Sequence, residues 1–256
     1  MSLDVSYSVY QNRFKDAGDF TFFFVGNFTL KGIEPLIRKY LGSLPSTGRI
    51  ESWRDLGIDP PGGVIEQIVK RGLEPKSRVQ IVFSGSITWS FANRLKLRAL
   101  AEVLEIQLRN TLREDSGGTY SVGVLSSISH YPDEEYHVYI GFGCAPENAE
   151  DLSASVLTQI ESLQSDGPKD EEINKVKEIF KRERETDLKK NEFWLQNLQF
   201  YYAHDLDTKD ILQYEANVDA INAQMVQKTA QKYLDINRYV KVLLYPENWE
   251  DREEAE

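Results

Sequence analysis

Leu112-Arg113-Glu114-Asp115-Ser116-Gly117-Gly118-Thr119-Tyr120-Ser121-Val122 sits between the strongest helical pattern in the sequence and a strand, and this helix-to-strand reversal sets the fold class. Upstream, over Phe91 to Leu112, the apolar residues Leu97, Leu100, Ala101, Leu104 and Leu108 form one stripe, which Ala99, Val103 and Ile106 widen. An arc that broad predicts burial against more than one neighbour. Downstream, Tyr120 to Ile128 and Tyr136 to Phe142 read as strands. In the second, Tyr136, Val138, Ile140 and Phe142 alternate with His137, Tyr139 and Gly141, the pattern of a sheet with unequal faces. The link Tyr131 to Glu135 is short enough for an antiparallel hairpin.

The same reading extends to both ends of the chain. Phe20-Thr21-Phe22-Phe23-Phe24-Val25 is rich in aromatic and β-branched residues and is expected to be a buried strand. Thr29 is a fair N-cap for a helix over Ile33 to Leu41, with Gly42 placed at C′. Pro45 to Gly63 holds three Pro and four Gly without periodicity, so it reads as a connector and domain boundary. Val64–Val69 and Val79–Phe83 follow as a strand pair around a turn-rich stretch. After Pro146 the chain turns helical. One stripe over Ala149 to Leu163 stops before Gly167-Pro168, and Asp170 caps a second helix. Phe193–Tyr202 and Ile211–Leu234 are also expected to be helical, and Tyr239–Leu244 closes the order as a strand. The class is α+β, with a largely antiparallel sheet covered by helices on one face.

Composition narrows the function. The 256 residues carry a net charge of −11, and 41% are hydrophobic. The acidity argues against a nucleic-acid partner, because phosphates demand a cationic field. No apolar run approaches the roughly 18 residues of a spanning helix, so no membrane insertion is expected. Met1-Ser2-Leu3 lacks a basic region backed by an apolar stretch, and the abrupt entry into Asp4–Tyr10 reads as the start of an excised fragment. One cysteine rules out an internal disulfide.

Few residues offer chemistry. The three histidines, His130, His137 and His204, have no His partner one helical turn away, and neither H-x-x-E-H nor H-E-x-x-H occurs. Cys144 precedes a helix, which can activate a thiol, but a lone Cys at a strand end is ordinarily a small buried filler. No G-x-S-x-G or phosphate-loop pattern occurs. That leaves Arg113 and Tyr120, whose guanidinium and phenol can both donate to a carbonyl oxygen that gains negative charge. Spacing alone favours a structural reading. An Arg in the last helical turn suits the macrodipole, glycines suit a C-cap, and Tyr is an ordinary strand residue.

The segment from Leu112 to Val122 nevertheless resembles the C-terminal signature of the M16 metallopeptidases, the pitrilysin/insulinase family, in which L-R and Y-S-V are separated by six residues. Phe24-Val25-Gly26-Asn27 followed by Leu41 to Pro45 resembles the strand–helix close of an M16 domain. Pro60-Pro61-Gly62-Gly63 resembles an inter-domain connector. Tyr139 to Glu147 and Leu243 to Glu247 resemble parts of the long PqqL-like bacterial zinc proteases. The resemblance implies an M16/LuxS-like metallohydrolase fold. Residues 1–63 would be the tail of a preceding M16 domain plus connector, 64–247 the C-terminal M16 domain, and 248–256 an acidic tail. It further implies a parent zinc metalloendopeptidase whose N-terminal half binds zinc, outside this chain, and whose two halves enclose a peptide chamber. Tyr120 would then donate to the scissile carbonyl oxygen and Arg113 would position the substrate main chain, while the fragment by itself would be inactive. Bacterial members of this type imply a periplasmic or envelope location. Two other readings stay open: a non-catalytic structural M16 homologue, and a cysteine hydrolase using Cys144.

Overall fold

The computed structural model describes residues 2–116 and 121–250, and of residues 113–116 the backbone only. In chain order the helices are α1 (Leu3–Phe14), α2 (Leu30–Tyr40), α3 (Phe91–Ser116), α4 (Ala149–Asp166), α5 (Asp170–Asp187), α6 (Asn191–Ala203), α7 (Tyr214–Asp219) and α8 (Ala223–Tyr233). The strands are β1 (Val64–Lys70), β2 (Ser77–Ser86), β3 (Val122–Ser129), β4 (Glu135–Cys144) and β5 (Tyr239–Tyr245). They group into two compact units, Met1–Arg54 with Glu183–Leu212, and Asp55–Arg182 with Gln213–Glu256.

The larger unit is built on a five-stranded sheet in the order β1-β5-β2-β4-β3. β2, β4 and β3 run antiparallel to their neighbours, as does β5 to β2, and only β1 with β5 is parallel. Side chains of opposite pleat separate the two faces. Val79, Ile81 and Phe83 of β2 are fully buried, whereas Arg78 and Gln80, which alternate with them, are exposed. β4 repeats this with Tyr136, Val138, Ile140 and Phe142, and β5 with Tyr239, Leu243 and Tyr245. The buried face meets helices: α3 lies on β3, α4 and α8 lie on β2, and the three helices pack on one another. The broad arc of α3 is accounted for, since Leu97, Leu100, Val103, Leu104 and Leu108 are all buried. Each such side chain contributes about 1.5–3 kcal/mol. The α+β class with one helical layer is the observed architecture.

β5 interrupts a reading made from local spacing. Val64–Val69 and Val79–Phe83 do form strands, but not a pair, because β5 lies between them. Its buried Lys241 bonds Glu66 of β1 at 3.1 Å and Glu150 of α4 at 3.0 Å, which ties the parallel edge strand to the helical layer. Burial alone would lower the Lys241 pKa, yet its hydrogen bonds to Glu150 and Glu66 hold it above its ordinary value. The segment Ile211–Leu234 is likewise not one helix. It comprises the end of a short 3-10 turn, then α7, then α8, because the Asn222 side chain caps a new start by accepting from Met225 N–H at 2.9 Å. At the head of α5, Asp170 is the first helical residue rather than the cap. Glu172 instead reaches back to the Lys169 N–H at 2.9 Å.

In the smaller unit, Thr29 caps α2 as expected, its hydroxyl accepting from Gly32 N–H at 3.1 Å. Gly42 follows the helix, but its φ is not positive. A side chain there would meet the Arg38 carbonyl oxygen at 2.9 Å, so close approach is what requires glycine. Phe20–Val25 is not a buried strand. It makes no sheet ladder among the described residues, and Phe20, Phe22 and Phe24 are exposed. A strand needs a neighbour to satisfy its backbone, and composition cannot supply one. Instead its rings continue a file from α1, Tyr10 to Phe14 at 4.8 Å, Phe14 to Phe20 at 5.8 Å and Phe20 to Phe22 at 6.2 Å.

Candidate functional site

Arg113 falls in the last turn of α3, and Tyr120 immediately precedes Ser121 at the entrance to β3. The Arg113 side chain and the whole of Tyr120 lie outside the described residues. What surrounds the reversal is described. Among the described residues β3 is an edge strand paired only with β4, and it runs from Val122 opposite Phe142 to Ser129 opposite Glu135. Beside its start is a hollow of about 380 Å³, lined by Lys76, Ser77, Arg78, Ser121, Gly141, Phe142, Gly143 and Cys144. β3 therefore begins next to a concavity at the end of the sheet.

The alternative nucleophile is disarmed by its surroundings. Cys144 is 1% exposed, and burial, with a smaller push from Glu147, raises its thiol to about 11. At neutral pH it is a protonated, buried filler, not a thiolate. The histidines sit in separate places. His130, at the β3–β4 link, lies 3.4 Å from Glu134 and packs on Trp89 and Tyr131. His137 stacks on Tyr139 within β4, and His204 ends α6 against Phe200. Among the described residues, no three His, Cys, Asp or Glu side chains come together in a way that would hold a metal ion. This donor set does not fit a zinc centre, which needs converging imidazole, thiolate or carboxylate ligands. No helix among the described residues is long and apolar enough to cross a membrane.

Comparison with known proteins agrees with this architecture. The family described as the peptidase M16 inactive domain matches residues 1–180, and the chain belongs to that family. Among curated proteins, the probable zinc protease PqqL of Haemophilus influenzae is 29% identical over 147 residues, which is 57% of this chain and 15% of that protein. A zinc protease PQQL-like protein of Arabidopsis thaliana is 25% identical over 263 residues, covering 93% of this chain and 28% of its own. The crystal structure of the periplasmic protease PqqL from Escherichia coli shares the fold. Its TM-score is 0.70 at 19% identity, over 86% of this chain and 24% of that one. The chain thus spans less than a third of the length of these curated relatives.

Proposed function

We propose that this chain is the non-zinc-binding, C-terminal portion of a zinc metallopeptidase, forming part of a peptide-binding chamber and presenting Arg113 and Tyr120 to a site completed by an N-terminal half. The observation that carries the reading is the match of residues 1–180 to the M16 inactive domain, in a chain whose edge strand β3 begins beside an open hollow. The zinc and its general base belong to the other half, where they supply metal-assisted hydrolysis. Within this chain the Tyr120 O–H donates to the peptide carbonyl oxygen as its charge grows, and the Arg113 guanidinium aligns the substrate main chain. Residues 1–63 form the tail of a preceding domain, 64–247 the C-terminal domain and 248–256 a tail. The partners are the N-terminal half and a peptide. The compartment is the bacterial periplasm or envelope, a reading supported by the periplasmic protease from E. coli that shares the fold.

The test is a peptidase assay of this chain alone and with a zinc-binding N-terminal half. Alone it should be inactive. In the assembled enzyme Tyr120→Phe should lower kcat by about 10²–10³, the usual effect of removing one oxyanion donor. Hydrolysis by the isolated chain would contradict the assignment. Full activity of assembled Tyr120→Phe would leave a scaffold role.

A further inference from the structure

Three glycines occupy the open face of the sheet next to the hollow. Gly123 of β3 is paired with Gly141 of β4, and Gly143 lies two residues further along β4. Glycine inside a strand costs about 0.5–1 kcal/mol relative to alanine, so its use there calls for a reason. Backbone conformation gives none, because none of the three has a positive φ. Crowding gives none either. A Cβ at Gly141 or Gly143 would stand 3.9 or 3.8 Å from the nearest backbone oxygen, an ordinary contact, and one at Gly123 would meet no atom of the described residues within 4 Å. What these glycines leave is a bare floor. Bare strand backbone of this kind is found where a ligand or another main chain comes close.

One wall of this floor is cationic. Arg78 is the register partner of Gly143 and so shares its face, and it is exposed. No described residue hydrogen-bonds or ion-pairs with its guanidinium. It belongs to the stretch Lys70 to Arg78, which holds four cations against the single acid Glu74 in a chain of net charge −11. Lys76 also contributes to the lining but is held by Glu74 at 3.1 Å, so among the described lining residues Arg78 is the cation open to a ligand. An unengaged planar guanidinium beside an open floor of bare backbone matches a carboxylate, which guanidinium binds in a two-pronged fork.

We infer that the hollow is a carboxylate subsite: Arg78 holds the carboxylate of a peptide while the peptide main chain lies over Gly123, Gly141 and Gly143. The carboxylate is either a free C-terminus or an acidic side chain. This inference rests on the peptide-binding reading above, and adds to it a substrate preference and a residue outside the Arg113–Tyr120 reversal.

The intact 256-residue chain is suited to the test, with backbone amide spectra recorded during titration with four peptides. These are acetyl-tetraalanine with a free carboxylate, the same peptide as its amide, acetyl-Ala-Ala-Glu-Ala-amide and its Gln counterpart. The expected result is displacement of the Gly141 and Gly143 signals by a carboxylate peptide, at least tenfold tighter than by its neutral partner. Which carboxylate peptide binds assigns the source as terminus or side chain. Arg78→Gln should remove that advantage, and Gly143→Ala, whose added methyl has room within the fold, should weaken both members of the pair. Equal binding of charged and neutral peptides at these glycines would overturn the carboxylate assignment and leave peptide binding standing. Absence of any displacement by all four peptides would overturn both. Retained charge preference in Arg78→Gln would overturn the role of Arg78.

Discussion

Glu105 of α3 accepts a hydrogen bond from the backbone N–H of Val124 at 3.1 Å, placing a helix carboxylate against the outer edge of β3. Edge strands expose donors that invite another strand, and here one of them is already occupied. The carboxylate is itself steadied by Arg109 one turn along the helix. A peptide adding to this edge would have to displace Glu105 or pair beyond Val124.

Glu105→Ala leaves that N–H without its acceptor and releases Arg109. Loss of about 1–3 kcal/mol is expected, measured as a lower urea midpoint. The opened edge should also self-associate at high concentration in sedimentation experiments, with Leu125 70% exposed alongside it. Glu105→Gln, which keeps an acceptor, should lose less on both counts.

Gln164 of α4 closes the end of α8. Its side-chain amide donates to the carbonyls of Ala230 at 3.1 Å and Leu234 at 2.7 Å, while the Gln164 backbone carbonyl accepts from the Gln227 and Gln231 side chains. Gln164→Leu keeps the volume and strips the donor from two terminal carbonyls. A destabilisation of about 1–3 kcal/mol is expected in chemical denaturation, with helix α8 the first to lose hydrogen-exchange protection.

Cys144 governs part of the alkaline behaviour. Burial, then Glu147, raises its thiol from 9.0 to about 11, so the folded chain keeps a proton that the unfolded chain releases. Its stabilisation is complete below pH 9 and disappears as pH rises through about 11. The shift corresponds to a loss on the order of 3 kcal/mol. Cys144→Ala should flatten the fall in stability over that window, and the native thiol should resist iodoacetamide at neutral pH.

Asp16 acts in the opposite direction in the smaller unit. The Thr47 hydroxyl, then the Gly18 and Thr47 N–H groups, all donate to its carboxylate and hold its pKa below 3.8. A lowered carboxylate stabilises the folded state above the ordinary value and gives that up as pH falls through the native one. Direct titration of the Asp16 carboxyl carbon should show a midpoint under 3.8, and Asp16→Asn should free residues 45–48 for exchange.

Elements whose partners are local were legible from residue order. The alternation of β4, the stripe of α3 and the cap at Thr29 all depend on neighbours a few positions away. β5 was legible as a strand but not in its place between β1 and β2, because nothing near Val64 or Val79 encodes a partner at Tyr239. Phe20–Val25 has strand composition without a ladder, and composition carries no information about the neighbour a strand needs. Asn222 was the missed signal in the helical stretch, an N-cap type three positions before Met225. At the site, Arg113 and Tyr120 stood out through resemblance, since their spacing also suits an ordinary helix end. Arg78 drew no notice, because its significance depends on facing Gly143 across the ladder. Glu105 passed as one more charge on a helix for the same reason.

The last strand among the described residues is also an interior one, wedged between β1 and β2. During synthesis the sheet must wait with a gap at its middle until Tyr245 has left the ribosome, and β1 has no partner in the meantime. A stop codon at Tyr239 would therefore do more than shorten the chain. It would detach β1 altogether and leave β2 with a bare flank for a chaperone to guard.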